Sequence, residues 1–335
     1  MRQNQDFRNF YEIIKKIGDG LGTVYRAKKK DSDEERAIKV IDKKLINLDN
    51  YYFKSLIKNM NISKGEKKEN ENIVKFYEYF DTKDEFAIVM ELCDENLLIF
   101  LSKRTEKIPP KEINDILIQL NNIFKIIAKN KIVLINLILE KILLKYDSKE
   151  NNIYKVKLKL SNWSSLFKLK EIISLGKYKY RIRFIAPEIL KGDKPNEKTD
   201  LWSLGVIIYV LAFKEYPYTG ENEEVILNKI ENNGQNNFKK TGNSNLDNLI
   251  QKLLVEKPSQ RLGWEEYFNH SFFKRDFSEI YEIVRKIDGE GNGDIYEAKV
   301  KNSGELVAIK KFDKNKKINE FIQQNIREPT EEEMK

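Results

Sequence analysis

Residues 11–28 read YEIIKKIGDGLGTVYRAK, with apolar and charged positions alternating on both sides of a glycine-rich turn. A period of two is the signature of a strand with one face buried, and glycines between two such runs mark the turn of a hairpin. The alternation continues to residue 41, so the segment predicts a hairpin meander over 11–41. The same wording returns as YEIVRKIDGEGNGDIYEAK at 281–299, and RAIKVIDK returns as VAIKKFDK, which pairs Lys39 with Lys310. The copies start about 270 residues apart, a domain's length and far longer than a solenoid period. The chain therefore reads as one complete unit followed by the start of another at 277–335. Three strands without a supporting helix and partner lobe are marginal. That tail is expected to be a disordered or loosely docked extension; the alternative is a strand donor to another copy.

The rest of the chain limits what that unit is. Hydrophobic residues make up 40% of 335, with 18 Phe and 16 Tyr, enough to build a core and too many for global disorder. The single cysteine, Cys93, excludes an internal disulfide framework and points to a reducing compartment. The opening MRQNQDFRNF has no apolar signal core, so a cytoplasmic location is expected, with the nucleus left open. Net charge is +8, yet there is neither zinc-ligand spacing nor a basic stripe interleaved with aromatics, and no nucleic-acid partner is expected. His270 is the only histidine, which removes histidine acid–base chemistry and histidine metal sites from nearly the whole chain. Residues 132–144, IVLINLILEKILL, fall short of the roughly 20 apolar residues of a membrane span and are bounded by Lys131 and Lys145.

Residues 48–63 are helix-permissive, and 73–80 and 85–92 read as two further strands. After Cys93 the pattern changes: 112–130 and 200–214 carry helical periodicity, and helices dominate as far as Phe273. The expectation is an α+β fold with two lobes, a small β-rich one at 11–92 and a larger helical one at 94–273.

Over 11–273 the ordered set GDGLGTVY (18–25), AIK (37–39), MELCD (90–94), APE (186–188), DLWSLG (200–205) and RLG (261–263) resembles a eukaryotic-type serine/threonine protein kinase domain. The resemblance implies a nucleotide cleft built by Gly18, Gly20, Gly22, Val24, Ala37, Lys39, Met90, Glu91, Cys93 and Leu143. The glycines would bring backbone N–H groups up to phosphates. Lys39 would pair with the α/β-phosphates. Val24 and Ala37 would roof the adenine, Leu143 floor it, and Met90 close its back. Glu188 with Arg261, and Asp200 with Trp202, match positions that hold the helical lobe together. Met60, Phe76, Leu134 and Trp163 match the stacked side chains linking the lobes, and all four are apolar.

The resemblance breaks where the chemistry should be. The catalytic loop, H-R-D-L-K-x-x-N in the family, is L-I-N-L-I-L-E-K here. Asn136 replaces the catalytic Asp, Ile138 the Lys, and Lys141 the Mg²⁺-binding Asn. The second metal position reads SNWSS, with Asn162 for Asp. Asn136 cannot take a proton as a carboxylate does, a role worth about 10²–10⁴-fold. Mg²⁺ calls for anionic oxygen, which neither Asn162 nor Lys141 supplies. Residues 50–65 contain no acid to orient Lys39, with Leu56 at the best-matching place, and the glycine loop is one residue short. In the second copy Asp288 and Glu290 replace two glycines.

Three readings follow. The first is a catalytically impaired kinase-like domain, a pseudokinase acting on protein partners as an interaction or regulatory module. The second is a residual ATP-dependent kinase, for which Glu140 and Asp147 are the nearby acids, both at positions facing away from the cleft in the family. The third is a decayed duplicate. Within the first, ATP is a candidate ligand and Mg²⁺ is not expected. Either Lys39 and Lys141 together replace the metal, or the cleft is empty, with Trp163 filling it and Lys141 reaching solvent.

Overall fold

The computed structural model describes residues 2–19, 22–45, 71–135, 137–146, 154–158, 179–234, 238–274, 281–289, 293–301 and 303–311. The expectations for 48–63, Gly20, Leu56, Met60, Asn136, Asp147, Asn162, Trp163 and Glu290 lie outside these residues. The chain divides into two compact units, 1–273 and 274–335.

The first unit opens with a six-stranded sheet. Its strands are β1 (Arg2–Gln3), β2 (Tyr11–Gly18), β3 (Thr23–Lys29), β4 (Glu35–Asp42), β5 (Phe76–Asp81) and β6 (Glu85–Glu91). Their order is β1-β5-β6-β4-β3-β2, antiparallel except for β1 against β5. β4 is central and buried on both faces, because alternate residues serve two clusters. Ala37 and Ile41 join Ile88 and Met90 on one face, while Ile38 and Val40 join Phe7, Tyr11, Phe80 and Val89 on the other. This lobe starts earlier than the sequence suggested: β1 pairs with β5, and Phe7 packs beneath the sheet against Phe80.

The helical lobe contains α1 (Leu97–Lys103), α2 (Pro110–Lys129), α3 (Pro187–Leu190), α4 (Thr199–Phe213), α5 (Glu223–Asn233), α6 (Ser244–Leu253) and α7 (Trp264–Phe268). Asn96, Asn222 and Asn243 cap α1, α5 and α6 by accepting from backbone N–H groups of the first turn. α2 begins with Pro110, whose missing N–H costs nothing there, and buries the stripe Ile113, Ile116, Leu117, Leu120 and Phe124. α4 is apolar on every side and buried throughout, as a helix hydrophobic all round must be. It ends where Lys214 turns left-handed at φ +56°. A small sheet of β7 (Glu95–Asn96), β8 (Ile142–Tyr146) and β9 (Tyr154–Leu158) closes the lobe. Together these elements form the expected α+β bilobal kinase-like architecture. Among the described residues no helix is long and apolar enough to cross a membrane.

The second unit holds β10 (Tyr281–Asp288), β11 (Asp294–Val300) and β12 (Leu306–Lys311), an antiparallel meander. Its register repeats that of β2–β4 even to the irregularities, at 13/15 and 16/18 in β2 and at 283/285 and 286/288 in β10. Within the tail expected to be a disordered or loosely docked extension, the described residues of β10, β11 and β12 form a sheet. What the copy lacks is cover: among its described residues only the Ala298 side chain is buried, and β12 has no strand on its outer edge.

Candidate functional site: a cleft between sheet and helices

Between the two lobes of the first unit lies a cavity of about 510 Å³. Gly18, Val24 and Ala37 reach it from the sheet, Met90, Glu91 and Cys93 from the end of β6 and the segment after it, and Leu143 from β8. These seven predicted residues are brought together at one place. The strands explain why: Ala37 and Met90 are directly paired neighbours, and Gly18 is paired with Val24.

Four other predicted residues stand outside the lining. Gly22 has φ +99°, and a Cβ there would sit 2.2 Å from the Val40 carbonyl oxygen. Close packing on β4 therefore requires this glycine. Ile138 belongs to the main core of the helical lobe. Lys39, 6% exposed, and Lys141, 8% exposed, are buried and are not among the described lining residues. A Lys141 reaching solvent is corrected accordingly. Burial pushes the Lys141 ammonium down to about 7, helped by the positive charges of Lys39 and Arg181 and opposed by Asp200 and Glu140. In its ammonium form Lys141 offers a divalent ion no lone pair and repels it.

Asp200, wholly buried near the start of α4, accepts from the N–H of Leu134 at 2.7 Å and of Ile135 at 2.8 Å. Burial raises its carboxyl to about 6 against the pull of those two bonds. Ile135 is left-handed at φ +63°, an unfavourable place for a β-branched residue, and its bond to Asp200 holds it there. Asp200 thus fixes the backbone at 134 and 135 although both side chains are apolar. Leu134 joins the helical core, and Phe76 packs against the sheet cluster that includes Met90. Glu188 and Arg261 form the expected buried pair, with both carboxylate oxygens accepting at 2.9 Å.

Glu140 is a second correction, and with Tyr180 and Arg181 it forms a feature the sequence reading missed. Expected to face away, it lines the cavity together with those two residues. The turn Leu139–Lys141 presents it to the segment Lys179–Phe184. There the Tyr180 hydroxyl donates to Oε1, and Arg181 Nη2 donates to the same oxygen at 3.4 Å. Burial, reinforced by Glu140, moves the Tyr180 hydroxyl up to about 12. The other oxygen, Oε2, is buried and, among the described residues, has no hydrogen-bond partner. The only sequence signal was the one carboxylate in a mostly apolar run, answered by the basic-aromatic stretch KYRIRF. At the sheet edge of the cavity, Arg26 grips both oxygens of Glu35 at 2.8 and 2.9 Å.

The comparisons with known proteins agree with this geometry. The protein kinase domain family matches residues 11–273. Calcium-dependent protein kinase 5 of Plasmodium falciparum is 28% identical over 280 residues, 82% of this chain and 47% of that protein. Calcium-dependent protein kinase 4 of the same organism is 32% identical over 284 residues, 81% and 51%. The serine/threonine-protein kinase ATG1a of Arabidopsis thaliana is 28% identical over 272 residues, 79% and 42%. The chain spans about half the length of these curated relatives. With the two lobes, the cleft and the match over 11–273 in agreement, the chain belongs to the protein kinase domain family.

Proposed function

We propose that this chain is a kinase-like domain impaired in phosphoryl transfer, serving as an interaction or regulatory module whose cavity takes a ligand without a divalent ion. The observation that carries this is Lys141. Phosphoryl transfer needs metal ions to neutralise charge on the transferring group, a contribution of several kcal/mol. Here a buried lysine stands at the position matching one metal ligand of the family, and Asn162 and Asn136 at those matching the other ligand and the base. The walls for a flat ring remain in Val24, Ala37, Met90 and Leu143. The family generally binds ATP, and an adenine-like ring is the group those walls suit.

The test incubates the full chain with labelled ATP and Mg²⁺ or Mn²⁺, using a degenerate Ser/Thr peptide pool as acceptor. The expected result is no transfer above that of Lys39→Met. Transfer that Lys39→Met abolishes would sink the proposal.

A further inference from the structure

Among the described residues two long strands stand at open sheet edges, β2 at the end of the first sheet and β10 at the end of the second. An open edge offers backbone N–H and C=O groups to another strand, and proteins blunt it by cover, charge or irregularity. β10 has charge and two irregularities against β11, yet every residue from Glu282 to Asp288 is exposed, with Ile283, Val284 and Ile287 about half so. Its meander also has much to gain from a partner. It has three strands and, among its described residues, one buried side chain, Ala298, and three strands with so little cover are marginal.

The order of residues in β10 shows which partner fits. Counted outward from Val284, Ile283 mirrors Arg285, Glu282 mirrors Lys286 and Tyr281 mirrors Ile287. Laid antiparallel on a second copy about a two-fold axis at Val284, the strand sets Glu282 against Lys286 at both ends. It also sets Tyr281 against Ile287, Val284 against Val284, and Ile283 against the stem of Arg285, with no like charges opposed. Opposite charges directly across two strands stabilise the pair, and like charges destabilise it. Moving the axis one residue on, to Arg285, would face two arginines together and Glu282 with Asp288. Glu282 has no ion pair among the described residues, and Lys286, although paired with Asp294, leaves half its side chain exposed. We infer that β10 is a contact surface for a second copy of this chain, β10 against β10 about Val284, joining two meanders into one sheet. A contact of a patch with itself closes after two chains, so it gives a dimer and not a filament. β2 carries the same mirror in Glu12, Ile14 and Lys16, but its sheet already has apolar clusters on both faces and gains less.

Sedimentation velocity of the full chain over a hundredfold range of concentration is expected to show monomer passing to dimer and nothing larger. Val284→Arg puts like charges on the axis and is expected to raise the dissociation constant at least tenfold. Ile14→Arg, at the matching place in β2, is expected to change it less than twofold. Glu282→Lys and Lys286→Glu should each weaken self-association at least tenfold. An equimolar mixture of those two variants should restore the dimer, because opposite charges then face each other at both ends. A chain that stays monomeric, or that grows past the dimer, overturns the inference. A dimer that survives Val284→Arg, or that Ile14→Arg breaks, overturns the assignment to β10. A mixture no more associated than its components overturns the register about Val284.

Discussion

Arg261 shows how a single residue anchors the helical lobe. Its guanidinium is fully buried and donates to both oxygens of Glu188 and to the carbonyls of Val255, Lys198 and Glu256. Removing one partner of a buried pair leaves the other charge stranded, so Arg261→Ala should cost about 3–5 kcal/mol, read as a lower urea midpoint. Lys141 makes the opposite prediction. Its folded value near 7 lies below the 10.5 of an ordinary lysine, so its charge opposes folding in full below pH 7. That cost fades as pH rises toward 10.5, where the unfolded chain also gives up the proton. Asp200 works in the other direction: its raised value means its charge costs stability above pH 6 and nothing below 3.8. Lys141→Met should therefore stabilise the fold at about pH 6 by on the order of a few kcal/mol, read as a higher urea midpoint, and lose most of that gain by about pH 10. An equal gain at both pH values would contradict a buried, charge-penalised lysine. Glu188, Asp200 and Arg261 were legible in the sequence because each sits in a motif with a fixed companion. Glu140 was not, since its partners are about 40 residues away and nothing local announces them.

At the scale of elements, the periodicities carried most of the information. The expected helix at 200–214 is α4, and the expected strands at 73–80 and 85–92 are β5 and β6 with small shifts at their ends. β7, β8 and β9 were not read, because two to five residues inside a helical stretch are too short to establish a period. Packing between α4 and α6 turns on one glycine. A Cβ on Gly205 would approach Leu253 Cβ and Leu254 Cδ2 to 2.9 Å each. Gly205→Ala should thus cost about 1–3 kcal/mol through overpacking, despite the better helix propensity of alanine. A thermal midpoint at or above that of the parent would show that the two helices separate more easily than their packing implies.

The whole molecule holds two meanders of nearly one wording in two surroundings. β4 is covered on both faces and paired on both edges, while β12, among the described residues, has no strand on its outer edge and no buried side chain. Local sequence therefore sets register and bulges in both copies, and cover from outside each meander decides what they are worth. The sequence showed the repeat plainly, but not the difference in burial, which depends on residues far along the chain. Native-state hydrogen exchange should show strong protection at Ile38 and Val40 and exchange at least a hundredfold faster at Ile309 and Lys311. Equal protection would mean that the second meander is stabilised by something other than its own strands.

The bare edge of β12 has a practical side as well. An open strand edge is a template on which another chain can crystallise its own backbone, and charged residues are the usual guard against it. Lys310 and Lys311 are that guard here, two adjacent ammonium groups at the end of LVAIKK. Acetylating them would strip the repulsion without touching the register. The shelf life of the purified chain would then be set by lysine modification on the sheet of its second unit, however firmly the larger unit is built.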